Sequence, residues 1–369
     1  MSILLFNLFS IASFFVYEYI ANSNVYDDLP ELYCDDLAEM RLLVVAPHND
    51  DEAIGATVLM KKVLDAGGKV QVVLMSNGDG FTRAAWTHGK KVSLNAQDYI
   101  DFGYIRQQET IESMAKIGLM QENIVFLGYP DGGISKLWDS HWSADAPLYN
   151  KRTKTTFSPY HNSYEAHAIY SGDNVVKNLK EIITSYQPNC IVMPHPGDAH
   201  SDHWATNAFM QYTLTDLDYP PTKTLLYLAH QGEWPLPLRL NPGLYLVPPS
   251  SLLEAGTDWY AYLLNEEEQD LKKEVLLSYR SQAKVMLPYL YAFVRKNELF
   301  GVYDAIPLPQ GDAMIAPFID TDVDESPYLL IQDAVGAFLN LHMHKYEDII
   351  NLYGFYGAEG DLHFYLCSK

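Results

Sequence analysis

Basic residues are scarce: 25 Lys and Arg against 47 Asp and Glu leave a formal net charge of −22 over 369 residues. Nucleic-acid binding depends on cations that neutralise phosphates, so this balance argues against nucleic-acid partners, and it also disfavours a polyanionic substrate. Cysteine is scarcer still. Cys34, Cys190 and Cys367 show no C-x-x-C spacing, which argues against a thiolate zinc ribbon or a dithiol redox motif and leaves His and carboxylates to hold any metal. Cys190 lies in an apolar run and reads as a buried free thiol, while Cys34 and Cys367 would pair only in an oxidising compartment. No apolar run reaches the roughly 20 residues that span a bilayer. The longest uncharged stretch, residues 3–17 (ILLFNLFSIASFFVY), has signal-peptide length, and Ala21 and Ser23 offer small residues for cleavage, yet no Lys or Arg precedes Arg41. Residues 1–23 therefore read equally as an export signal and as an apolar first helix, leaving an exported and a cytoplasmic location both open.

What the chain does have is core. Hydrophobic residues make up 48% and charged residues only 20%, the balance of a folded protein rather than a disordered one. From Arg41 onward, apolar runs of strand length alternate with amphipathic segments. Residues 42–47, 70–75, 124–127, 190–193 and 224–228 lack polar alternation, as parallel strands covered on both faces should. Helical patterns fill 52–66, 104–117, 174–186 and 203–215. The expected fold is α/β and Rossmann-like: a doubly wound, mostly parallel sheet with helices on both faces, plus a C-terminal extension.

Two connections, 78–103 and 132–172, are too long for ordinary loops. They carry Trp86, Trp138, Trp142, Tyr149, Tyr160, Tyr164 and Tyr170. These aromatics suit a lid that stacks on a sugar face and suit equally a set of anchors holding the loops to the body. A charged helix is expected over 265–283 and a second one to 298. Residues 41–303 form the expected main domain. The tail, 304–369, carries no interpretable motif beyond an apolar LHFYLC run that would add an edge strand.

The chemistry gathers at two strand ends. Strand one runs into His48-Asn49-Asp50-Asp51-Glu52, and strand four into His195-Pro196-Gly197-Asp198-Ala199-His200-Ser201-Asp202-His203. Ligands in open α/β sheets bind beyond the carboxyl ends of the strands, so the two clusters should converge. A catalytic zinc takes three nitrogen or oxygen ligands and leaves a position for water; His48, Asp51 and His203 supply such a set. Asp50, aimed differently, is the candidate general base, and His200 the group that stabilises an oxyanion or protonates a leaving amine. Asp202 or Asp198 would hydrogen-bond the other nitrogen of His200. Blander roles compete: first-turn acids for Asp50, Asp51 and Glu52, an N-cap for Asp202, loop capping for Asp198, and structural roles for His195 and His230.

The succession APHNDDEAIGA, SNGDG, YIRQQETIESMAKIGL with LGYPDGG, and HPGDAHSDH resembles the PIG-L/LmbE-like N-acetylglucosaminyl deacetylases. The resemblance continues through LKKEVLLSYRSQ and FVRKNELF to about Tyr303. It implies a zinc ion on His48, Asp51 and His203, Asp50 as base and His200 as electrostatic partner, with Arg106 and Asp131 contacting the sugar. Asn49 and Ser201 stand where proline is usual in the two motifs, which removes a stiffening ring but no ligand.

The sequence thus leads to a zinc-dependent hydrolase that removes an N-acetyl group from an N-acetylglucosamine-type sugar, glycan or conjugate. Iron and manganese accept the same ligand types. Two other readings remain: a non-catalytic glycan-binding protein on the same fold, and a non-haem iron triad built on His200 and Asp202, which leaves His48 and Asp51 unexplained.

Overall fold

The computed structural model describes residues 29–89, 91, 93–253, 256–303, 329–332, 349–356 and 362–368. Residues 1–23, for which a leader and a packed helix were both expected, lie outside these, as does most of 304–369. Among the described residues, no helix is long and apolar enough to cross a membrane.

The five expected strands are present as β1 (Arg41–Ala46), β2 (Lys69–Ser76), β3 (Ile124–Tyr129), β4 (Cys190–Pro194) and β5 (Lys223–Tyr227). They pair in parallel in the order β3-β2-β1-β4-β5. Two further strands extend the sheet to seven: β7 (Asn297–Val302), antiparallel to β5, and β6 (Asp258–Leu263) at the edge. The strand order reverses between β1 and β4, and a crevice opens at such a switch point.

Alternate side chains of each strand face opposite layers, and both are dry. Leu43, Val45, Val73, Met75, Ile191 and Met193 pack against Val175, Leu179 and Ile183 of α5 (Gly172–Tyr186) and Phe209 and Met210 of α6 (Ser201–Asp216). Leu42, Val44, Val72 and Leu74 are fully buried on the other side, where α1 (Asp51–Asp65) packs on β1 and β2. At roughly 25 cal/mol per Å² of apolar surface, such two-sided burial is the main stabilising term.

The long connections are not simply loops. The first holds α2 (Thr82–Gly89) and the opening turns of α3 (Ala96–Ala115), which starts eight residues before the expected 104 because Asn95 and Asp98 form a reciprocal capping box. The second holds the short α4 (Ile134–Asp139). Trp142 stacks on Phe209 at 5.8 Å and Trp138 meets the same ring edge-on at 5.1 Å; Tyr160 and Tyr170 are buried. These four aromatics anchor the insertion rather than form a lid.

The expected charged helix divides at Ser278 into α7 (Glu266–Leu276) and α8 (Arg280–Ala292), and the segment expected to stay helical to 298 turns instead into β7. Helix α1 is kinked at Ala56, with φ −146° and ψ 27°. The amides of Val58 and Leu59 donate to the Glu298 carboxylate, 3.0 Å each, while Lys272 Nζ bonds both Ile54 O and Glu298 Oε1 at 2.8 Å. A fully buried ion pair from α7 and β7 thereby satisfies the interrupted helix.

A second compact unit comprises Ser250–Asp258 and Tyr303–Lys369. It contains a three-stranded antiparallel sheet in the order β10-β9-β8, from β8 (Leu329–Gln332), β9 (Ile349–Tyr356) and β10 (Leu362–Ser368). The LHFYLC run is an edge strand of this sheet. Cys34 and Cys190 are free thiols.

Candidate metal centre and active site

The β1 run ends at Ala46, and the chain turns through His48, Asn49 and Asp50 into α1. Asp50 takes φ 113°, a left-handed conformation that is costly for a residue with a Cβ, and its side chain does not cap the helix. Its carboxylate is thereby available to the crevice, where Arg106 Nη2 lies 3.3 Å from Oδ1.

Asp51 Oδ2 is the hub. It lies 3.1 Å from His48 Nδ1 and 3.1 Å from His203 Nε2. The outer nitrogens of both rings face carboxylates: His48 Nε2 lies 3.3 Å from Asp202 Oδ2 and 3.4 Å from Asp131 Oδ1, and His203 Nδ1 lies 3.2 Å from Asp198 Oδ2. A proton on each outer nitrogen leaves the lone pairs of His48 Nδ1 and His203 Nε2 directed at Asp51, the arrangement in which outer carboxylates fix histidine ligands for a cation. His203 is fully buried, and neither of its ring nitrogens has a well-formed hydrogen bond. An unsatisfied inner imidazole nitrogen beside an anionic oxygen fits a metal. Among the described residues, the groups whose ligand atoms all lie within 4.8 Å of one another are His48 with His200 and His203, Asp51 with His203 and His230, and His48 with Asp131 and Asp202; the expected trio of His48, Asp51 and His203 is spread over these overlapping groups.

Electrostatics agree with this demand for positive charge. Burial opposes charging of His48, but Asp131, Asp202 and Asp51 outweigh it and lift its pKa well above the usual value. Burial likewise opposes charge on His203, yet Asp51 and Asp198 raise it to about 9. Burial pushes Asp51 up, and the two histidines reverse this and hold it well below the carboxylate range. Asp50 goes the other way. Burial, reinforced by Asp51 and Glu52 and only partly offset by Arg106, raises it to about 8.

The remaining predicted residues fall around this centre with altered contacts. His200 lines the cavity, but its Nδ1 accepts from the backbone N–H of Asp202 at 3.2 Å and so does not donate to the carboxylate of Asp202 or Asp198. Asp202 instead accepts from Gly132 N and Ile134 N at 2.7 and 3.1 Å, and His200, not Asp202, caps α6. Asp198 accepts from the amides of Ala229, His230 and His200 at 2.9 Å each, tying the β4 turn to the end of β5. Arg106 is buried, donating to Gly78 O at 2.9 Å and to Asn49 O, so it braces both turns while one edge lines the cavity. Gly78 has φ +57°, and an added Cβ would fall 1.7 Å from Arg106 Nη1, so only glycine fits. Asp131 Oδ2 accepts from Gly80 N at 2.7 Å.

The cavity encloses about 350 Å³ and is completed by Ile54, Phe81, Met286 and Tyr289, which the sequence did not single out, and by His230, for which a structural role was expected. His230 follows β5 as His195 follows β4, so position at a strand end was its signal. Its ring lies 4.8 Å from that of His203 and stacks on Tyr289. His195 stays structural, stacked on Trp259 at 5.0 Å, with burial lowering it to about 4.

Residues 43–213 match the family model described as PIG-L, GlcNAc-PI de-N-acetylase. The chain carries a PIG-L domain. Similar solved structures include the conserved protein TT1542 from Thermus thermophilus, at 18% identity and TM-score 0.43, covering 74% of this chain and 97% of that one. The N,N'-diacetylchitobiose deacetylase from Pyrococcus horikoshii shows 20% identity and TM-score 0.42, covering 76% and 85%. GalB, the 4-carboxy-2-hydroxymuconate hydratase from Pseudomonas putida, shows 12% identity and TM-score 0.40, covering 73% and 99%. No curated protein matches the chain. The PIG-L match contains every predicted ligand but ends before His230, Met286 and Tyr289, which the later part of the chain adds to the cavity.

Proposed function

We propose that this protein is a zinc-dependent hydrolase that removes the N-acetyl group from an N-acetylglucosamine-type sugar or conjugate. The observation that carries the reading is the convergence of His48 Nδ1 and His203 Nε2 on Asp51 Oδ2 at one wall of a cavity also lined by Asp50 and His200. Bound by these three residues, zinc supplies Lewis-acid polarisation of the acetyl carbonyl and lowers the pKa of a water molecule.

Asp50 takes the proton of the attacking water. A base works best with a pKa near the working pH, and burial, partly offset by Arg106, moves Asp50 upward toward that range. His200 has its pKa lowered by burial and by His48 and His203, so the ring enters as neutral imidazole. With Nδ1 accepting from Asp202 N, its Nε2 carries the proton and donates to the developing oxyanion. Protonation of the leaving amine then falls to Asp50, which holds the proton taken from water. Arg106 holds the Asp50 turn, and Asp131 orients His48 while bordering the place of the sugar. Ile54, Phe81 and Met286 exclude water from the acetyl end.

The test is metal analysis of the purified full chain beside His203→Ala, with acetate release measured on N-acetylglucosamine glycosides. About one tightly held zinc per chain, lost in the variant together with acetate release, is expected. Wild-type protein that takes up no metal, or acetate release undiminished in His203→Ala, would overturn the reading.

A further inference from the structure

His230 lies outside the residues that match the PIG-L model and takes no part in the reaction described above. It nevertheless stands at the same centre: its ring is 4.8 Å from that of His203 and 5.3 Å from that of His200, and the ligand atoms of Asp51, His203 and His230 all lie within 4.8 Å of one another. Three contacts fix how the ring is presented. Its backbone N–H donates to Asp198 Oδ2 at 2.9 Å, the same oxygen that lies 3.2 Å from His203 Nδ1, so one carboxylate ties both histidines. Tyr289 lies parallel to the ring, with 2° between the planes and 5.5 Å between the centroids. The Tyr289 hydroxyl has a single proton and donates it to Ala229 O at 2.9 Å; its bond with His230 Nδ1 at 3.2 Å therefore takes its proton from the imidazole. The proton of His230 sits on Nδ1, and the lone pair on Nε2.

We propose that His230 is a fourth protein ligand of the metal, through Nε2, beside His48, Asp51 and His203; the inference rests on the metal centre of the hydrolase reading above. A ligating histidine characteristically donates its other ring N–H to an oxygen that fixes tautomer and orientation, and the Tyr289 hydroxyl, itself anchored on Ala229 O, is such an oxygen. Tyr289 is thus a positioning residue that acts through His230. A histidine that only filled the cavity wall would need its flat face against Tyr289 but no set tautomer. Zinc accepts five ligands in catalytic sites, so a fourth protein donor still leaves the place for water that hydrolysis requires. Three imidazoles beside one carboxylate also favour zinc or iron over manganese, which is better served by oxygen donors.

The test uses the full chain stripped of metal, beside His230→Phe, which keeps a flat ring against Tyr289 but no donor, and Tyr289→Phe, which keeps the stack but releases Nδ1. Urea unfolding of the metal-free proteins checks that all three fold alike, and zinc affinity is read by competition with a chromophoric chelator. Removing the outer partner of a ligating histidine costs about 10- to 100-fold in metal affinity, so Tyr289→Phe should weaken zinc binding about tenfold or more and His230→Phe about 100-fold or more. Should His230→Phe fail to fold, the affinity of Tyr289→Phe decides. Cobalt(II) loading gives an independent count, because each coordinated imidazole contributes one exchangeable ring N–H signal displaced far outside the ordinary proton NMR range. Signals from three imidazoles are expected in the wild type, with the third absent from His230→Phe. Unchanged zinc affinity in His230→Phe, or the same cobalt signals in both proteins, would overturn the fourth ligand and leave the hydrolase reading intact. Zinc held tightly by the wild type and lost in His230→Phe, with no acetate released from N-acetylglucosamine glycosides, would support the ligand while the hydrolase reading failed. A wild type that takes up no metal would overturn both.

Discussion

Replacing Lys272 by Met tests how far the active-site turn depends on chain far from it. The ammonium has no exposure; it neutralises Glu298 and satisfies Ile54 O at the kink of α1, five residues beyond Asp51. Met fills most of the volume but leaves a buried carboxylate with only the Val58 and Leu59 amides, and an Ile54 carbonyl without its partner. Removing one partner of a buried pair costs about 3–5 kcal/mol, which at about 2.1 cal/mol/K of unfolding entropy per residue over roughly 300 residues corresponds to a fall in Tm of roughly 5 to 8 °C. Urea unfolding of the single variants and of Lys272→Met/Glu298→Gln closes a double-mutant cycle. The double variant should cost clearly less than the sum of the singles, because the second change removes the charge that the first left unpaired. The singles should also bind zinc more weakly, since the turn carrying Asp50 and Asp51 leads directly into the kinked helix. Single-variant losses below about 1 kcal/mol, or strict additivity, would refute the claim that this pair holds the kink.

Other expectations follow from the same contacts. Asp50→Asn should keep its metal and lose about 10²- to 10⁴-fold in turnover; wild-type rates would remove Asp50 from the chemistry. Arg106 lowers the pKa of Asp50, so Arg106→Met should move the acidic limb of the kcat/KM profile to higher pH, and an unmoved limb would show that another group is the base. Gly55→Ala would put a Cβ 2.6 Å from the Tyr227 ring, where α1 lies against β5, and should cost about 1–3 kcal/mol in urea unfolding. Burial and Asp131 raise Asp79 to about 7 despite its bond from Tyr160. The folded state therefore holds a proton that the unfolded state releases near pH 4, and the stability this gives is present at low pH and lost as pH rises toward 7. Asp79→Asn should flatten that slope, and an unchanged slope would assign it to other groups.

The five central strands and both chemical clusters were legible because two-sided burial writes an unbroken apolar run, and a polar cluster at its end stands out. The edge of the sheet was not. In β7, Asn297 and Gly301 interrupt the apolar pattern, and the strand forms by antiparallel pairing with β5 around Leu226 and Gly301, a contact between distant parts of the chain. The start of α3 carried a readable signal in Asn95 and Asp98 that the weak amphipathic pattern hid. Partners across the fold were the least legible. Arg106, expected only as a sugar contact, also braces two turns, with acceptors 28 and 57 positions away. Nothing local marks the left-handed backbone of Asp50.

The buried bond network between α1 and the later chain also bears on how this architecture could be transplanted. A fragment reaching only residue 213 would carry all three ligands proposed from the sequence, yet it would lack the Lys272 and Glu298 brace, the β5 end that receives Asp198, and the Met286 and Tyr289 wall. Such a fragment would possess the recipe for the centre without the walls that keep it in shape. Grafting or shortening the domain therefore has to respect a division of labour along the chain: the first half supplies the clustered His and Asp side chains, and residues 223–302 supply the mould.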